Sequence, residues 1–199
     1  MRRQSLLAIL KTQFYFLGTL VLILWGIELL DFLLFHGFLD RYGIIPRTVI
    51  GLRGILVAPF LHHGFLHLIN NTLPFIILSW FIMVRSLKEY IIISILIIII
   101  SGLGVWLFAR GNTIHIGASG LIFGYFGYIL GKGIFERSLL SIIIAIITAI
   151  LYGSMIWGIF PQAPHISWEG HLLGFLTGVY LSKRFSHKKA VKNLKIEER

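Results

Sequence analysis

Cysteine is absent from the 199 residues of this chain, and charged residues make up only 13% of it. Without cysteine the protein has no disulfide framework, no thiolate nucleophile and no cysteine-based metal site. Soluble domains carry about 25% charged residues, so the low charge argues against a soluble globular protein. Acidic residues are the scarcer of the two charge types, with 8 against 18 basic ones, which restricts carboxylate chemistry to a few positions.

Apolar residues dominate the rest of the composition. They make up 57% of the chain, and the mean hydropathy is +0.87. This composition indicates a protein that crosses the membrane several times. The net charge of +10 lies mostly in the tails and short loops, where it suits anionic lipid headgroups. We therefore expect membrane lipids as partners and no nucleic acid.

Hydropathy divides the chain into six apolar segments, which we name TM1 to TM6. Each is predicted to be a helix, because a backbone in lipid must satisfy its own hydrogen bonds. The first run is too long for a secretory signal and lacks a small-residue cleavage site, so we expect it to remain as a span. The segments are 15–36, 65–84, 90–109, 117–131, 138–158 and 168–182.

The basic residues are distributed unequally between the two sides of these segments. Of the 18, 14 lie on the side that holds both termini and 4 lie on the other. Lysine and arginine favour the cytoplasmic side of a membrane, so both termini are predicted to be cytoplasmic. The four on the outer side are Arg41, Arg47, Arg53 and Arg110.

TM4 begins with Gly117-Ala118-Ser119-Gly120 and is too short to cross a membrane alone. A helical rise of about 1.5 Å per residue, counted from the nearest basic residue at the inner end, places Ser119 about 20 Å above that end. The same count gives about 18 Å for His171 in TM6 and about 21 Å for Asn71 in TM2. A serine, a histidine and an asparagine are thus predicted in one layer of the outer part of the membrane.

Glycine repeats predict close packing of TM4 against TM6. TM6 carries glycine every four residues, at 170, 174 and 178, and TM4 carries it at 120, 124, 127 and 131. Small residues at this spacing let two helix backbones approach each other. His171 lies three residues before Gly174, so a hydrogen bond between Ser119 and His171 becomes geometrically feasible.

The start of TM2 carries His62, His67 and Asn71 in the run His-His-Gly-Phe-Leu-His-Leu-Ile-Asn-Asn. His67 and Asn71 are four residues apart and share a helix face. Polar groups in lipid usually face the bundle interior or a hydrated cavity, so this face is predicted to point at Ser119. Side-chain donors in that position are suited to bind the oxyanion of a tetrahedral intermediate.

These residues together resemble the rhomboid family of intramembrane serine proteases. The family's His-x4-His-x3-Asn element corresponds to His62, His67 and Asn71, and its Gly-x-Ser-Gly element to residues 117–120. Its TM6 element, a histidine followed by spaced glycines, begins at His171. The resemblance covers residues 14–184 and implies an all-α membrane protein, a six-transmembrane-helix bundle with both termini inside and a short TM4 carrying the serine.

The resemblance also implies a role for each of these residues. Ser119 would be the nucleophile and His171 the general base, while His67, Asn71 and the Ser119 backbone N–H would form the oxyanion hole. His62 would be structural. The remaining supporting residues would be Gly117, Gly120, Phe123, Gly174 and Gly178.

The activity and setting that the resemblance implies are those of an intramembrane serine endopeptidase. It would cut peptide bonds in or near the transmembrane segments of other membrane proteins, with no cofactor and no metal. The expected location is a bacterial plasma membrane, with the active site open to the extracytoplasmic side. Residues 1–13 and 185–199 would be cytoplasmic tails around a 14–184 protease domain. The sequence leaves the oligomeric state and the physiological substrate open.

Three positions depart from the family pattern. The first outer loop has Leu52-Arg53 where many members have Trp-Arg, and the inner end of TM2 lacks the glutamate that many carry. Phe123 stands where relatives often have a tyrosine stacked on the catalytic histidine. Stacking is therefore expected without a hydroxyl contact.

Other functions compete with this interpretation. The main one is a catalytically inactive rhomboid-like protein that binds transmembrane clients, but such relatives commonly lose the serine or the histidine. A zinc protease would need a carboxylate between His63 and His67, and an aspartyl protease would need two aspartates at membrane level. The only aspartates are Asp31 and Asp40, at and beyond the outer end of TM1.

Other acidic and histidine residues are predicted to have no catalytic part. Glu169 is two residues before His171, a spacing that does not share a helix face, so it is not predicted to be a triad acid. A metal site at His62, His63 and His67 is a minor alternative. Two further histidines, His115 and His165, are predicted to be surface residues of outer loops.

Overall fold

The computed structural model describes residues 6–161, 163 and 166–197, with the backbone alone described from 187 onward. Within these ranges the chain is helical, apart from an isolated strand-like bridge between Ile44 and His115. The prediction of an all-helical chain is confirmed for this part of the protein. The six long helices are α1 Leu6–Leu30, α2 Phe65–Met83, α3 Leu87–Phe108, α4 Ser119–Phe135, α5 Leu139–Tyr152 and α6 Trp168–Glu197.

Four helical segments of the described chain are long and apolar enough to cross a membrane. They are Leu6–Phe35, Phe65–Met83, Leu87–Phe108 and Leu139–Ile159. Their outward faces carry large hydrophobic side chains, which lipid accepts and water does not. The protein is therefore an integral membrane protein. The two helices outside this set are α4, which has 17 residues, and α6.

The first and last helices extend beyond the predicted segments. α1 already includes Leu6, although TM1 was predicted to begin at residue 15. α6 continues past the predicted end at residue 182 to Glu197. Hydropathy marks where a helix leaves lipid, whereas backbone hydrogen bonds can continue into water. The predictions made for His165 and for the extreme ends of both tails lie outside the described residues.

α4 lies at the centre of the bundle and packs most closely against α6. A Cβ atom added at Gly174 would lie 2.1 Å from the carbonyl oxygen of Gly120, and one at Gly178 would lie 2.0 Å from that of Gly124. These distances are far below van der Waals contact, so any side chain would force the two backbones apart. The glycines therefore determine how close α4 and α6 can lie.

The long loop between α1 and α2 is attached to the outer end of α3. The Arg47 guanidinium donates to the carbonyl oxygens of Ala109, at 2.7 Å, and Leu107, at 3.2 Å, which satisfies the end of α3. The Trp106 indole N–H donates to the Thr48 carbonyl at 2.7 Å. The loop contains short helical turns at Asp31–Phe35, Phe38–Tyr42, Ile50–Arg53, Gly54–Val57 and Ala58–Phe60. It leads directly to His62 at the start of α2.

A group of paired charges, which we call the distal charge cluster, lies at the end of the bundle opposite Ser119. It consists of Arg85, Glu89, Lys132 and Glu136. The Lys132 ammonium lies 2.8 Å from Glu136 and 3.4 Å from Glu89, and Arg85 pairs with Glu136 as well. Lys132 is the basic residue from which the depth of Ser119 was counted above, and it is only 3% exposed. It therefore joins helices inside the protein and does not face lipid headgroups.

Candidate active site

Ser119 and His171 lie within hydrogen-bond distance of each other. Ser119 is the first residue of α4, and His171 lies in the first turn of α6. The Nε2 atom of His171 is 2.9 Å from the Oγ atom of Ser119. The glycine contact between α4 and α6 begins directly below both residues, so the backbones that carry them are held at a fixed separation. A hydroxyl in this position can pass its proton to the imidazole as its oxygen attacks a carbonyl carbon.

The second ring nitrogen of His171 contacts the backbone of another segment. Its Nδ1 atom is 2.9 Å from the carbonyl oxygen of Gly158. A carbonyl oxygen can only accept, so the proton of the neutral ring lies on Nδ1, and Nε2 is left to accept from Ser119. The Phe123 ring stacks on the face of the His171 ring, with ring centroids 4.2 Å apart and planes 5° apart. The ring is therefore fixed in the tautomer and orientation of a general base.

Glu169 belongs to a different set of contacts. Its carboxylate accepts hydrogen bonds from Arg110, at 2.6 Å to Nε and 3.2 Å to Nη2. Among the described residues, the hydrogen bonds of the His171 ring go to Ser119 and Gly158 alone. The arrangement thus consists of two side chains and a backbone carbonyl, without a carboxylate bonded to the ring.

His67 lies against Gly117, on the backbone that leads into Ser119. A Cβ atom at Gly117 would lie 2.6 Å from Cε1 and 2.8 Å from Nε2 of His67. Gly117 also has a φ of +107°, which disfavours any other residue. The Nδ1 atom of His67 accepts from the backbone N–H of His63 at 3.3 Å, so the neutral ring carries its proton on Nε2. An N–H donor therefore lies beside Gly117, two residues before Ser119.

Asn71 lies one turn after His67 on the same face of α2. It is only 7% exposed, and its amide nitrogen donates one hydrogen bond to the carbonyl oxygen of His67 at 3.0 Å. An amide nitrogen has two hydrogens, so a second donor remains. Together with the backbone N–H of Ser119, which is free of intrahelical bonds at the start of α4, the site contains three donors suited to a developing negative charge.

His62 holds the backbone immediately before Ser119. It is 1% exposed, and its Nε2 atom accepts from the backbone N–H of Ala118 at 3.3 Å. Burial lowers the pKa of His62 to about 4, so the ring is neutral at pH 7 and can accept this bond. The contact agrees with the structural role that the resemblance implies for His62.

Two participants were not recognised from the sequence. The Gly158 carbonyl has no sequence signature, because every residue has a carbonyl group. His115 was predicted to lie at the surface, and this was wrong: it is 5% exposed. Its ring lies 2.9 Å from the Thr113 hydroxyl and also contacts Ser167. His115 lines a cavity of about 50 Å³ beside Ser119, a position that follows from its backbone bridge to Ile44.

The minor alternative of a metal site at the histidines of α2 gains no support. Within the described residues, no group of three or more histidine and acidic side chains is placed to hold a metal ion. The rings of His62 and His67 meet edge to face, with centroids 5.1 Å apart. One nitrogen of each ring, Nδ1 of His67 and Nε2 of His62, accepts a hydrogen bond from a backbone N–H group.

Comparisons with known proteins identify a matching family model and several relatives. A family model described as Rhomboid domain matches residues 51–188, a range that contains every residue of the site. Curated proteins of Mycobacterium bovis and Mycobacterium tuberculosis are 38% identical over 169 residues, which cover 81% of this chain and 70% of theirs. A protein of Mycobacterium leprae is 36% identical over 169 residues, which cover 81% of this chain and 66% of its own. All three are described as uncharacterized.

Proposed function

Because this chain belongs to the rhomboid family, we propose that it is an intramembrane serine endopeptidase acting on transmembrane protein substrates. Members of the family are generally serine proteases of this kind. The observation that carries the proposal is the 2.9 Å contact between His171 Nε2 and Ser119 Oγ. The Gly158 carbonyl supports it, because a base must have its unprotonated nitrogen facing the nucleophile.

The first step is attack of Ser119 on the carbonyl carbon of the scissile peptide bond. As the Oγ–C bond forms, the hydroxyl proton moves to Nε2 of His171, which becomes an imidazolium. The carbonyl oxygen becomes an oxyanion. His67 Nε2–H, the second Asn71 amide hydrogen and the Ser119 backbone N–H are the donors for it, assisted by the positive end of the α4 dipole.

The second step breaks the peptide bond. The imidazolium returns its proton to the leaving amine, and Ser119 remains as an ester of the N-terminal fragment. Water then attacks the ester, giving its proton to His171, and the serine is regenerated when that proton returns to Oγ. The reaction consumes one water and needs no cofactor.

The orientation expected for this enzyme follows from the unequal distribution of basic residues. Six membrane-spanning helices with both termini in the cytoplasm would place Ser119 in the outer part of a bacterial plasma membrane, below a site open to the extracytoplasmic side. Ser119 begins α4 rather than lying inside it, so water can approach from above. A substrate segment must become extended to reach it, because the amides of a helix are already hydrogen-bonded.

The alternative of an inactive, client-binding protein predicts a site that lacks a part of the catalytic machinery. The nucleophile, the base and the oxyanion donors are all present in this chain, and their geometry suits catalysis. The two interpretations differ in one measurable property, which is Ser119-dependent hydrolysis.

The test is cleavage of single-span reporter proteins by the purified protein in lipid, together with labelling by a fluorophosphonate probe. Ser119→Ala and His171→Ala should each lower kcat by about 10⁴-fold or more, and both should lose the label. Asn71→Ala removes one oxyanion donor and should lower kcat by about 10²–10³-fold. Ser154→Ala changes an exposed serine and should behave as the parent. Equal cleavage by parent and Ser119→Ala, or labelling of another serine, would refute the proposal.

A further inference from the structure

The carbonyl group that contacts the His171 ring belongs to neither of the two helices that carry Ser119 and His171. Ser119 and His171 lie on α4 and α6, whose backbones are in contact. Gly158 belongs to the helical turns Gly153–Ile159, which continue α5 and end at Phe160. The hydrogen bond that fixes the tautomer of His171 therefore depends on where this third segment lies.

The segment Gly153–Ile159 has a half-buried side and an exposed side. Met155 and Ile156 pack against the hydrophobic core, whereas Trp157 is 67% exposed. Met155, Ile156 and the backbone contact at Gly158 help to attach it to the bundle. None of the residues of this segment is fully buried, whereas α4 has many buried residues, so displacing the segment costs less free energy than displacing α4.

Gly158 is the residue at which this segment lies against Phe123 and His171. A Cβ atom at this position would lie 2.6 Å from Cζ of Phe123 and 3.5 Å from Nδ1 of His171. The absence of a side chain is what allows the carbonyl to reach the His171 ring while Phe123 covers the face of that ring. Gly153, in the same segment, has no atom within 4 Å of an added Cβ.

We propose that the Gly158 carbonyl is a positioning group for the catalytic base, so that the site is complete only while Gly153–Ile159 is seated against α6. This inference rests on the proposed protease function. In the seated arrangement, Nδ1–H donates to Gly158 and Nε2 faces Ser119. When the segment is displaced, the ring loses the acceptor that selects this tautomer and can rotate away from the nucleophile. Hydrolysis is thereby coupled to the position of the segment that continues α5.

Gly158→Ala tests the coupling, with Gly153→Ala as the matched control. The new methyl group at 158 must displace the segment or Phe123, so kcat for a single-span reporter should fall by about 10²-fold while KM changes little. Labelling of Ser119 by a small fluorophosphonate should slow in parallel, because that probe needs the base but not admission of a protein substrate. Gly153→Ala should match the parent in both assays.

A second test, in a Phe123→Leu variant, distinguishes a loss of His171 positioning from general damage to the fold. Phe123→Leu removes the ring carbon that the methyl group would meet. Adding Gly158→Ala to Phe123→Leu should therefore lower kcat much less than adding it to the parent does. This comparison decides the matter also if Gly158→Ala alone fails to fold. Parental kcat in Gly158→Ala, an effect on KM alone, or an equal loss in Gly153→Ala would overturn the inference. If the parent itself shows no Ser119-dependent labelling, the proposed function fails instead.

Discussion

The two ends of α4 carry buried polar groups of opposite character. At the Ser119 end, two uncharged donor groups retain unused hydrogen-bonding capacity: Nε2 of His67 makes no hydrogen bond to the described residues, and Asn71 uses one of its two amide hydrogens. In the distal charge cluster, by contrast, Lys132 is paired with two carboxylates, and Arg85 is bound to both Glu136 and Ser141.

Under the proposed function, this difference separates groups that would act on a substrate from groups that hold helices together. A donor already bonded within the protein would have to break that bond before it could bind an oxyanion, so a catalytic site benefits from donors left available. A buried charge without a partner is costly, so a structural cluster must be fully paired. Under this proposal, one end of α4 would serve catalysis and the other end joins helices.

The largest effect on stability is expected at the distal charge cluster. Glu136→Ala leaves Lys132 and Arg85 buried without their shared carboxylate, which should lower the free energy of unfolding by about 3–5 kcal/mol. The kcat of the molecules that remain folded should be close to the parental value. Denaturation in detergent micelles and reporter cleavage measure the two quantities.

Lys88→Ala provides the control at the same end of the bundle, since Lys88 is exposed. Its unfolding free energy should stay within about 0.5 kcal/mol of the parent. A Glu136→Ala protein that kept its stability but lost its activity would contradict the separation between the two ends.

An intermediate effect is expected at the contact between α4 and α6 directly below Ser119. The Cβ atom of Gly174→Ala would lie 2.1 Å from the Gly120 carbonyl oxygen, so α4 and α6 must separate directly below the dyad. Overpacking of this kind costs about 1–3 kcal/mol of stability, and reporter cleavage should fall as well because Ser119 and His171 move apart. Gly18→Ala is the control, because nothing lies within 4 Å of an added Cβ there. Unchanged cleavage by Gly174→Ala would show that the dyad tolerates looser packing.

The smallest effect concerns pH and His62. Burial lowers the pKa of this histidine from 6.5 to about 4, so between these values the unfolded chain binds a proton that the folded chain does not. Stability is therefore fully present above about pH 6.5 and decreases as the pH falls, by at most about 1.4 kcal/mol per pH unit.

His62→Gln isolates this contribution, because glutamine retains an acceptor for the Ala118 N–H but does not titrate. The variant should show a shallower loss of unfolding free energy than the parent when denaturation is measured between about pH 7 and pH 5. Identical slopes for the two proteins would mean that His62 is protonated in the folded state or is exposed.

Much of the helical framework was predictable because it depends on local energies. Apolar runs indicated the helices, and the glycine spacing of residues 170, 174 and 178 indicated the contact with α4 that the structure contains. Ser119, His171 and Asn71 were predicted in one layer from helical rise alone. Their catalytic roles remain predictions, for which the experiments above are the test.

The features that were missed all depend on partners distant in the chain. His115 was misassigned because a loop residue is buried only if another segment covers it, here through its bridge to Ile44. Lys132 resembled a lipid-facing boundary residue because the sequence shows a charge but not its partners. The acceptor on His171 could not be anticipated, because backbone carbonyls are present at every position.

By itself, the sequence determined that this is a helical membrane protein of the rhomboid family, and it determined which polar residues share helix faces. Those properties arise from hydropathy and from the periodicity of a single helix, which are repeated over many residues. Only the tertiary structure decided which ring nitrogen of His67 and of His171 carries the proton and which carbonyl contacts His171. These protonation states and contacts depend on hydrogen bonds of about 3 Å between residues far apart in the chain, such as Ser119 and His171, which are separated by 52 residues. Distances this short are set by how separate helices pack against each other.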